Sequence, residues 1–406
     1  MYVLQSNVDI VAGAKRYCIY DLNTGKIYSL DSKHLGYLKD FIKNEKSTEH
    51  IPKSIIDYFL ESEIVVNKDK LTKKLESFDD STLIDFAWIE ITQNCNLLCR
   101  HCYKGSSKRV QKADMKLNCF KLAVDCLLEI GVKRIQLVGG EPFLHDEMEQ
   151  MVEYTSGKFQ SIEIFTNATL LTSERLDLIK HYEISLASSV YAEDPTIHDY
   201  VTISKGSFKS TYRNIKSALS RGIEIRIASI EMEGAPRFKF ADLDVSHRTD
   251  LPRLTGRADL SLYNRDMLKK KLITKETFKK PIDPKSYFRN RRFHNCFGEK
   301  LYVDVDLNVF PCAMERRVSY GNLNGKSIRE MLDSDLILMN KDKINGCKDC
   351  EYRYACFDCR ADSKKAPINA KPWYCTYNQE EGVWIDEDVF IDSLYSESSM
   401  TTEIRD

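Results

Sequence analysis

Cys95, Cys99 and Cys102 stand in the run ITQNCNLLCRHCY with the spacing C-x3-C-x2-C. Three thiolates on one short loop can ligate three irons of a [4Fe–4S] cube, a cluster ordinarily held by four cysteines. The next cysteine, Cys119, lies well beyond the loop in a helical pattern. The triad therefore reads as an incomplete cluster site, with one iron left for a ligand from outside the loop. A structural zinc with His101 as fourth ligand is the competing reading. It is the weaker one, because His101 and Cys102 are adjacent and poorly disposed as two ligands of one tetrahedral ion.

A second group comprises Cys296, Cys312, Cys347, Cys350, Cys356, Cys359 and Cys375, and the run from Cys347 to Cys359 is spaced C-x2-C-x5-C-x2-C. In a secreted domain this density would mean disulfides. The amino terminus MYVLQSNVDIVAGAKR has neither the basic start nor the apolar stretch of a signal peptide. A reducing, cytoplasmic compartment is expected, and metal binding is the better account. Zinc suits such pairs too, but the company of the triad favours iron–sulfur. Cys18, Cys119 and Cys126 remain and read as small apolar fillers.

WIEIT, just before Cys95, reads as a strand, and residues 114–130 carry Leu117, Phe120, Val124 and Leu127 at helical spacing. RIQLVGGEPFLHDEM reads as strand, glycine turn and helix start. SIEIFTN, EISLASS and EIRIAS are further strands, with helices at about 172–181 and 208–221. This alternation predicts a parallel sheet, open or curved into a partial or full barrel. Sites in such sheets lie at the carboxyl ends of the strands. The cysteine loop, Gly139–Gly140–Glu141–Pro142 and Thr166–Asn167 all fall there.

CNLLCRHCY followed by VGGEPFLH resembles the radical S-adenosylmethionine (SAM) superfamily. The resemblance implies an α/β fold built on a partial (β/α)6 TIM-like barrel. It implies that Cys95, Cys99 and Cys102 ligate the catalytic cluster, whose open iron takes the amino and carboxylate groups of SAM. Gly139, Gly140 and Glu141 resemble the motif that binds the SAM ammonium group. That role suits glycine backbone approaching a ligand closely and a carboxylate making a charge-assisted bond. Thr166–Asn167 in FTNATLL resembles the strand-end TNG of the family, with Ala168 in place of the glycine. Ser185 in EISLASS is placed like a contact to the SAM ribose or carboxylate. From residue type alone, Thr166, Asn167 and Ser185 read equally well as turn chemistry.

The second cysteine group resembles the SPASM domain of peptide-modifying radical SAM enzymes. The resemblance implies that Cys347, Cys350, Cys356 and Cys375 hold an outer auxiliary [4Fe–4S] cluster. Cys296, Cys312 and Cys359 then hold an inner one, whose open iron is available to a substrate thiolate, a water or a nearby side chain. Two departures stand out. Phe357 and Asp358 are two residues where the family commonly has three, and Leu307 stands where a glycine is usual.

Near the amino terminus, YCIYDL and KIYSL flank the turn Asn23–Thr24–Gly25, and helices are expected at about 32–45 and 51–61. This module resembles the recognition element of ribosomally synthesised and post-translationally modified peptides (RiPPs). That element is winged-helix-like and binds leader peptides at a sheet edge. The expected organisation is this leader-binding domain at 1–70, a charged linker at 71–85 and the radical SAM core at 86–265. A bridging region at 266–295, the SPASM domain at 296–385 and a tail at 386–406 follow. The cations Lys269–Lys271, Lys279, Lys280, Arg289, Arg291 and Arg292 read as a solvated bridging surface, or more sharply as a groove for an acidic peptide.

With 60 basic and 61 acidic side chains, the formal net charge of −1 gives no general attraction to nucleic acid. No apolar run approaches the ~20 residues that span a membrane. CKDCEYRYACFDCRADSKKAPINAKPWYCTYNQEEGVW, with AGAKRYCIYDL, resembles the grasp-with-SPASM peptide maturases, found beside ATP-grasp ligases. This implies an oxidoreductase that takes an electron from flavodoxin or ferredoxin and generates a 5′-deoxyadenosyl radical from SAM. Its substrate would be a precursor peptide, in which it forms a thioether or carbon–carbon crosslink between side chains. Peptide epimerisation is a rival and needs a hydrogen-atom donor such as Cys18, Cys119 or Cys126. Oxidation of a single residue, as in sulfatase maturases, is another. Against it stands Ala313, where those enzymes carry an acidic residue after the second SPASM ligand. A degenerate peptide-binding protein without SAM cleavage is the rival of a different class.

Overall fold

The computed structural model describes residues 1–43, 48–75, 84–106, 113–363 and 366–402, with side chains to residue 396. Residues 76–83 of the expected linker and 403–406 of the expected tail lie outside them.

The chain begins with β1 (Tyr2–Leu4), β2 (Val8–Ala12), β3 (Tyr17–Asp21), β4 (Lys26–Leu30), α1 (Ser32–Lys43), α2 (Lys53–Glu61) and β5 (Val65–Asn67). β2, β3 and β4 make an antiparallel sheet, and β1 pairs with β5. Leu35, Leu38 and Phe41 of α1 bury against Ile19, Phe59, Ile64 and Val65 in a small core.

The central unit contains β6 (Phe86–Thr92), α3 (Leu117–Glu129), β7 (Arg134–Gly139), α4 (Met148–Thr155), β8 (Ser161–Thr166) and α5 (Ser173–His181). It continues with β9 (Ser185–Ser189), α6 (Pro195–Thr202), α7 (Ser207–Ser220), β10 (Ile225–Ile230) and β11 (His247–Asp250). The six strands are parallel and adjacent in chain order. Strands buried on both faces need covering helices. α3 supplies one with Phe120, Ala123, Val124 and Leu127, which follow the 3.6-residue period. β11 is not legible in the sequence: His247–Asp250 is short and polar, no helix precedes it, and β10 recruits it by main-chain pairing.

After the barrel come α8 (Arg265–Lys271), α9 (Pro284–Arg292), β12 (Lys300–Val303), β13 (Asn308–Phe310) and β14 (Gly321–Asn322). α10 (Ile328–Leu332), β15 (Tyr377–Asn378), β16 (Val383–Trp384) and α11 (Glu387–Thr402) complete the chain. β12 joins the free side of β6 in parallel, and β13 and β14 continue antiparallel. One nine-stranded sheet thus runs from the barrel into the second cysteine region.

The bridging region presents Lys270, Lys279, Lys280, Arg291 and Arg292 to solvent and also packs into the interior. Met267, Leu268 and Tyr287 share a core with Val11, Cys18 and Tyr20 and with Tyr352, Tyr354 and Tyr377. Lys269 pairs with Asp388, Lys270 with Glu231, Lys271 with Asp362, Arg289 with Glu299 and Arg291 with Asp9. The residues expected as a tail form α11, which buries Ile391 and Leu394. Arg265 of α8 grips its Asp388 and Asp392 at 3.0 and 2.7 Å.

Candidate active site and cysteine centres

A cavity of about 400 Å³ opens at the carboxyl ends of the six parallel strands. Every strand lines it: Trp88, Val138, Phe165, Ser189, Ala228 and Asp250 come from β6 to β11 in turn. Cys95, Cys99, Cys102, Gly139, Gly140, Thr166 and Asn167 stand on the same wall. This is the volume of a site for a small organic ligand.

The cysteine loop is held by main chain on both sides. Gly140 N donates to Thr92 O at 2.9 Å and Glu141 N to Asn94 O at 2.7 Å. The backbones are so close that a Cβ on Gly139 would lie 2.3 Å from Thr92 O, and one on Gly140 2.1 Å from Asn94 O. The glycines thus seat the loop as well as bordering the cavity. On the far side, Arg257 N donates to Cys102 O at 3.1 Å. Its guanidinium bonds Cys99 O at 2.9 Å and Ser106 O at 2.7 Å. Gly256, at φ +63°, packs against the Cys102 and Tyr103 carbonyls. Neither Gly256 nor Arg257 was anticipated, because β11, whose end places them on this rim, carries no apolar pattern.

Glu141 does not line the cavity. Its carboxylate is fully buried and accepts from Thr166 Oγ1 at 2.6 Å, Asn167 N at 2.7 Å and Phe143 N at 3.2 Å. Burial pushes its carboxyl pKa up, and these bonds oppose the shift. It braces the end of β8. Asn167 Nδ2 donates to Asn96 Oδ1 at 2.8 Å, tying that strand end to the cysteine loop. Ser185 is also displaced from its expected place. It stands at the amino end of β9 and donates to Ile162 O at 3.4 Å. The strand reaches the cavity at Ser189, roughly 13 Å further on at ~3.3 Å per residue.

Ala168 adopts φ +57°, the left-handed conformation a glycine would take. Asn214 Nδ2 holds its carbonyl at 2.8 Å, and Thr211 Oγ1 holds that of Asn167 at 2.8 Å. Leu307, the other residue in a glycine position, adopts φ +67°. Both turns keep the geometry without glycine, at a cost of roughly 1–2 kcal/mol each. Ala168→Gly is expected to keep Tm and SAM cleavage close to wild type. Ala168→Val, β-branched at positive φ, is expected to lose about 2 kcal/mol of stability, read by thermal melting.

The seven later cysteines form two groups. The Cys296 and Cys359 thiols are hydrogen-bonded, with Cys312 close by. The Cys296 bond pushes the Cys359 thiol pKa down, and the Arg253 guanidinium bonds the same sulfur. These three border a second cavity of about 630 Å³. Cys347, Cys350, Cys356 and Cys375 line a small separate pocket of about 20 Å³.

Burial pushes Cys95, Cys99 and Cys356 up to about 12. Neutral thiols are favoured there until cationic metal draws out the thiolates. Among the described residues, no three His, Cys, Asp or Glu side chains close on the position of a single ion. His101, the candidate zinc ligand, packs edge-on against Tyr191 with ring centroids 4.8 Å apart. All-thiol sets bordering cavities fit a larger, multi-iron group better than zinc.

The profile of the radical SAM superfamily matches residues 89–237, from β6 to just past β10. Residues 89–237 form a radical SAM domain. A radical SAM domain requires a [4Fe–4S] cluster and SAM, and the cysteine loop and cavity fit both. The chain is 28% identical over 275 residues to AlbA, the antilisterial bacteriocin subtilosin biosynthesis protein of Bacillus subtilis (strain 168). That match covers 62% of this chain and 60% of AlbA. The sporulation killing factor maturation protein SkfB of the same strain is 29% identical over 150 residues, 37% of this chain and 36% of SkfB. The chain thus spans 60% or less of these relatives' own lengths. SuiB of Streptococcus suis shares the fold, with a TM-score of 0.51 at 12% identity, over 92% of this chain and 100% of its own. Among the described residues, no helix is long and apolar enough to cross a membrane.

Proposed function

We propose that this radical SAM protein modifies a ribosomally made precursor peptide, forming an intramolecular thioether or carbon–carbon crosslink between side chains. One observation carries the reading. The cavity beside Cys95, Cys99 and Cys102 and the cavity beside Cys296, Cys312 and Cys359 share Trp88, Asp250, Arg253 and Met314. A peptide side chain seated there would lie between the two cysteine groups. AlbA and SkfB, named for bacteriocin biosynthesis and killing-factor maturation, support a peptide substrate.

In this reading Cys95, Cys99 and Cys102 hold the catalytic cluster, and Gly139, Gly140, Thr166, Asn167 and Ser189 form the wall for SAM. When bound, cluster and SAM supply a 5′-deoxyadenosyl radical that removes a hydrogen atom from the peptide. The protein orients the reacting groups and keeps water out, which preserves a radical for one target. Cys347, Cys350, Cys356 and Cys375 hold the outer auxiliary cluster, and Cys296, Cys312 and Cys359 the inner one. The module built on β2–β4 is read as the leader-binding site, flavodoxin or ferredoxin as the reductant, and an ATP-grasp ligase as a pathway partner.

The rivals fit less well. Cys18 is fully buried in the shared core, Cys119 and Cys126 pack on the outer helix α3, and none borders either cavity. None is placed to return a hydrogen atom in an epimerisation. Ala313 does border the second cavity, so the position that would carry the base of a sulfatase-type oxidation faces the site without one. The test is mass spectrometry of a precursor peptide co-expressed with the protein in D2O. Loss of two hydrogens, with a new linkage in the fragment spectrum, is expected. Unchanged mass apart from deuterium gain would make it an epimerase, and an untouched peptide would remove the maturase reading.

A further inference from the structure

We propose that Lys341 donates a hydrogen bond to the outer cysteine quartet, and that the cationic network it belongs to raises the reduction potential of the cluster held there. The inference rests on reading Cys347, Cys350, Cys356 and Cys375 as cluster ligands. Lys341 is only 2% exposed, and lysine is almost never so buried unless it has partners. Its ammonium bonds the Asp358 carboxylate and reaches Cys356 Sγ at 3.6 Å. It also borders the pocket that the four cysteines line.

Asp358 is a shared hub. His294 Nε2 meets its Oδ1 at 2.8 Å, and the Arg360 guanidinium bonds Oδ2, with Nε at 2.6 Å. Two cations therefore share one carboxylate, all in the interior, which leaves that group with an excess positive charge. An unbalanced buried charge is costly. A four-thiolate iron–sulfur cluster is net anionic and is the counterion this network lacks. The shortened C-x2-C spacing puts Asp358 between Cys356 of the outer group and Cys359 of the inner one. Other charges nearby are engaged elsewhere. Arg353 bonds Asp342 at 2.7 Å and Lys371 the Tyr377 carbonyl, while the buried Glu351 carboxylate, which accepts from Tyr377 Oη at 2.6 Å, acts on Cys350 and forms no ion pair with Lys341 or Arg360. Positive charge and N–H···S bonds beside a cluster favour its reduced state, so they raise its potential.

The test is an EPR-monitored redox titration of the full reconstituted chain, with the outer cluster identified as the signal missing from Cys350→Ala. Lys341→Met is expected to change the oxidised-to-reduced ratio at fixed potential about tenfold towards oxidised, a 59 mV fall for a one-electron couple. Lys341→Arg, which keeps the charge, should hold the wild-type midpoint. Asp358→Asn removes the carboxylate and leaves both cations, so its midpoint should move upward. Opposite shifts do not arise from loosened packing. Iron and sulfide counts separate the two ways of failing. Wild-type protein without iron at the outer quartet would refute the cluster reading itself. Full loading with unmoved midpoints in Lys341→Met and Asp358→Asn would overturn the role of Lys341. Either variant decides the matter if the other does not load.

Discussion

Cys99→Ala is expected to abolish 5′-deoxyadenosine formation from SAM in the anaerobically reconstituted protein, while iron at the later cysteines is retained. The loop does not depend on the Cys99 side chain for its shape. Leu98 N and Arg100 N donate to Thr202 and Val201 carbonyls at 3.1 and 2.9 Å. Arg257 holds the Cys99 carbonyl itself. Alanine keeps all of these bonds and removes only the thiol. Loss of an outer-shell partner alone costs about 10–100-fold at a metal site, so loss of a ligand should exceed about 100-fold. The checks are chromatographic detection of 5′-deoxyadenosine and an iron count lower by one cluster. Cleavage at the wild-type rate would remove the central claim.

Gly140→Ala should be nearly as severe, although glycine ligates nothing. The added methyl would meet Asn94 O at 2.1 Å and Cys95 Cβ at 2.9 Å. The backbone cannot yield cheaply, because Glu141 N is bonded to Asn94 O and Gly140 N to Thr92 O. Overpacking of this kind costs about 1–3 kcal/mol, and here one of the crowded atoms is the Cβ of the first cysteine of the triad. A lowered Tm, reduced iron at the triad and loss of SAM cleavage are expected together. Gly36→Ala is the control: nothing lies within 4 Å of its Cβ position on α1. There alanine should gain about 0.5–1 kcal/mol. A Gly140→Ala protein that loads full iron and cleaves SAM normally would show that the close approach is not needed.

The strand–helix order from β6 to β10 was legible because apolar residues recur with periods that name the element. β11 to β14 were not, because they are short and partly polar, and exist through pairing with neighbours already in place. That miss hid Arg253, Gly256 and Arg257, which follow β11. Glu141 was legible as an important residue but not in its direction. A carboxylate after two glycines can point several ways, and three donors from the β8 end and its own turn hold this one. In SLASS, period two puts Ser185 and Ser189 on one face. Only the strand's direction and stagger in the sheet say that Ser189 is the one at the cavity.

By itself the sequence determined the chemistry on offer, since C-x3-C-x2-C, Gly139–Gly140 and C-x2-C-x5-C-x2-C are local spacings that a short loop realises almost wherever it is placed. The tertiary structure alone decided which groups face one another. It brought Cys296 to Cys359, ran two cavities together through Trp88, Asp250, Arg253 and Met314, and set Lys341 against Cys356. Those proximities come from β12 pairing with β6 and from burial of aromatic side chains drawn from both ends of the chain. They are set by packing between segments far apart in sequence, which no local spacing encodes.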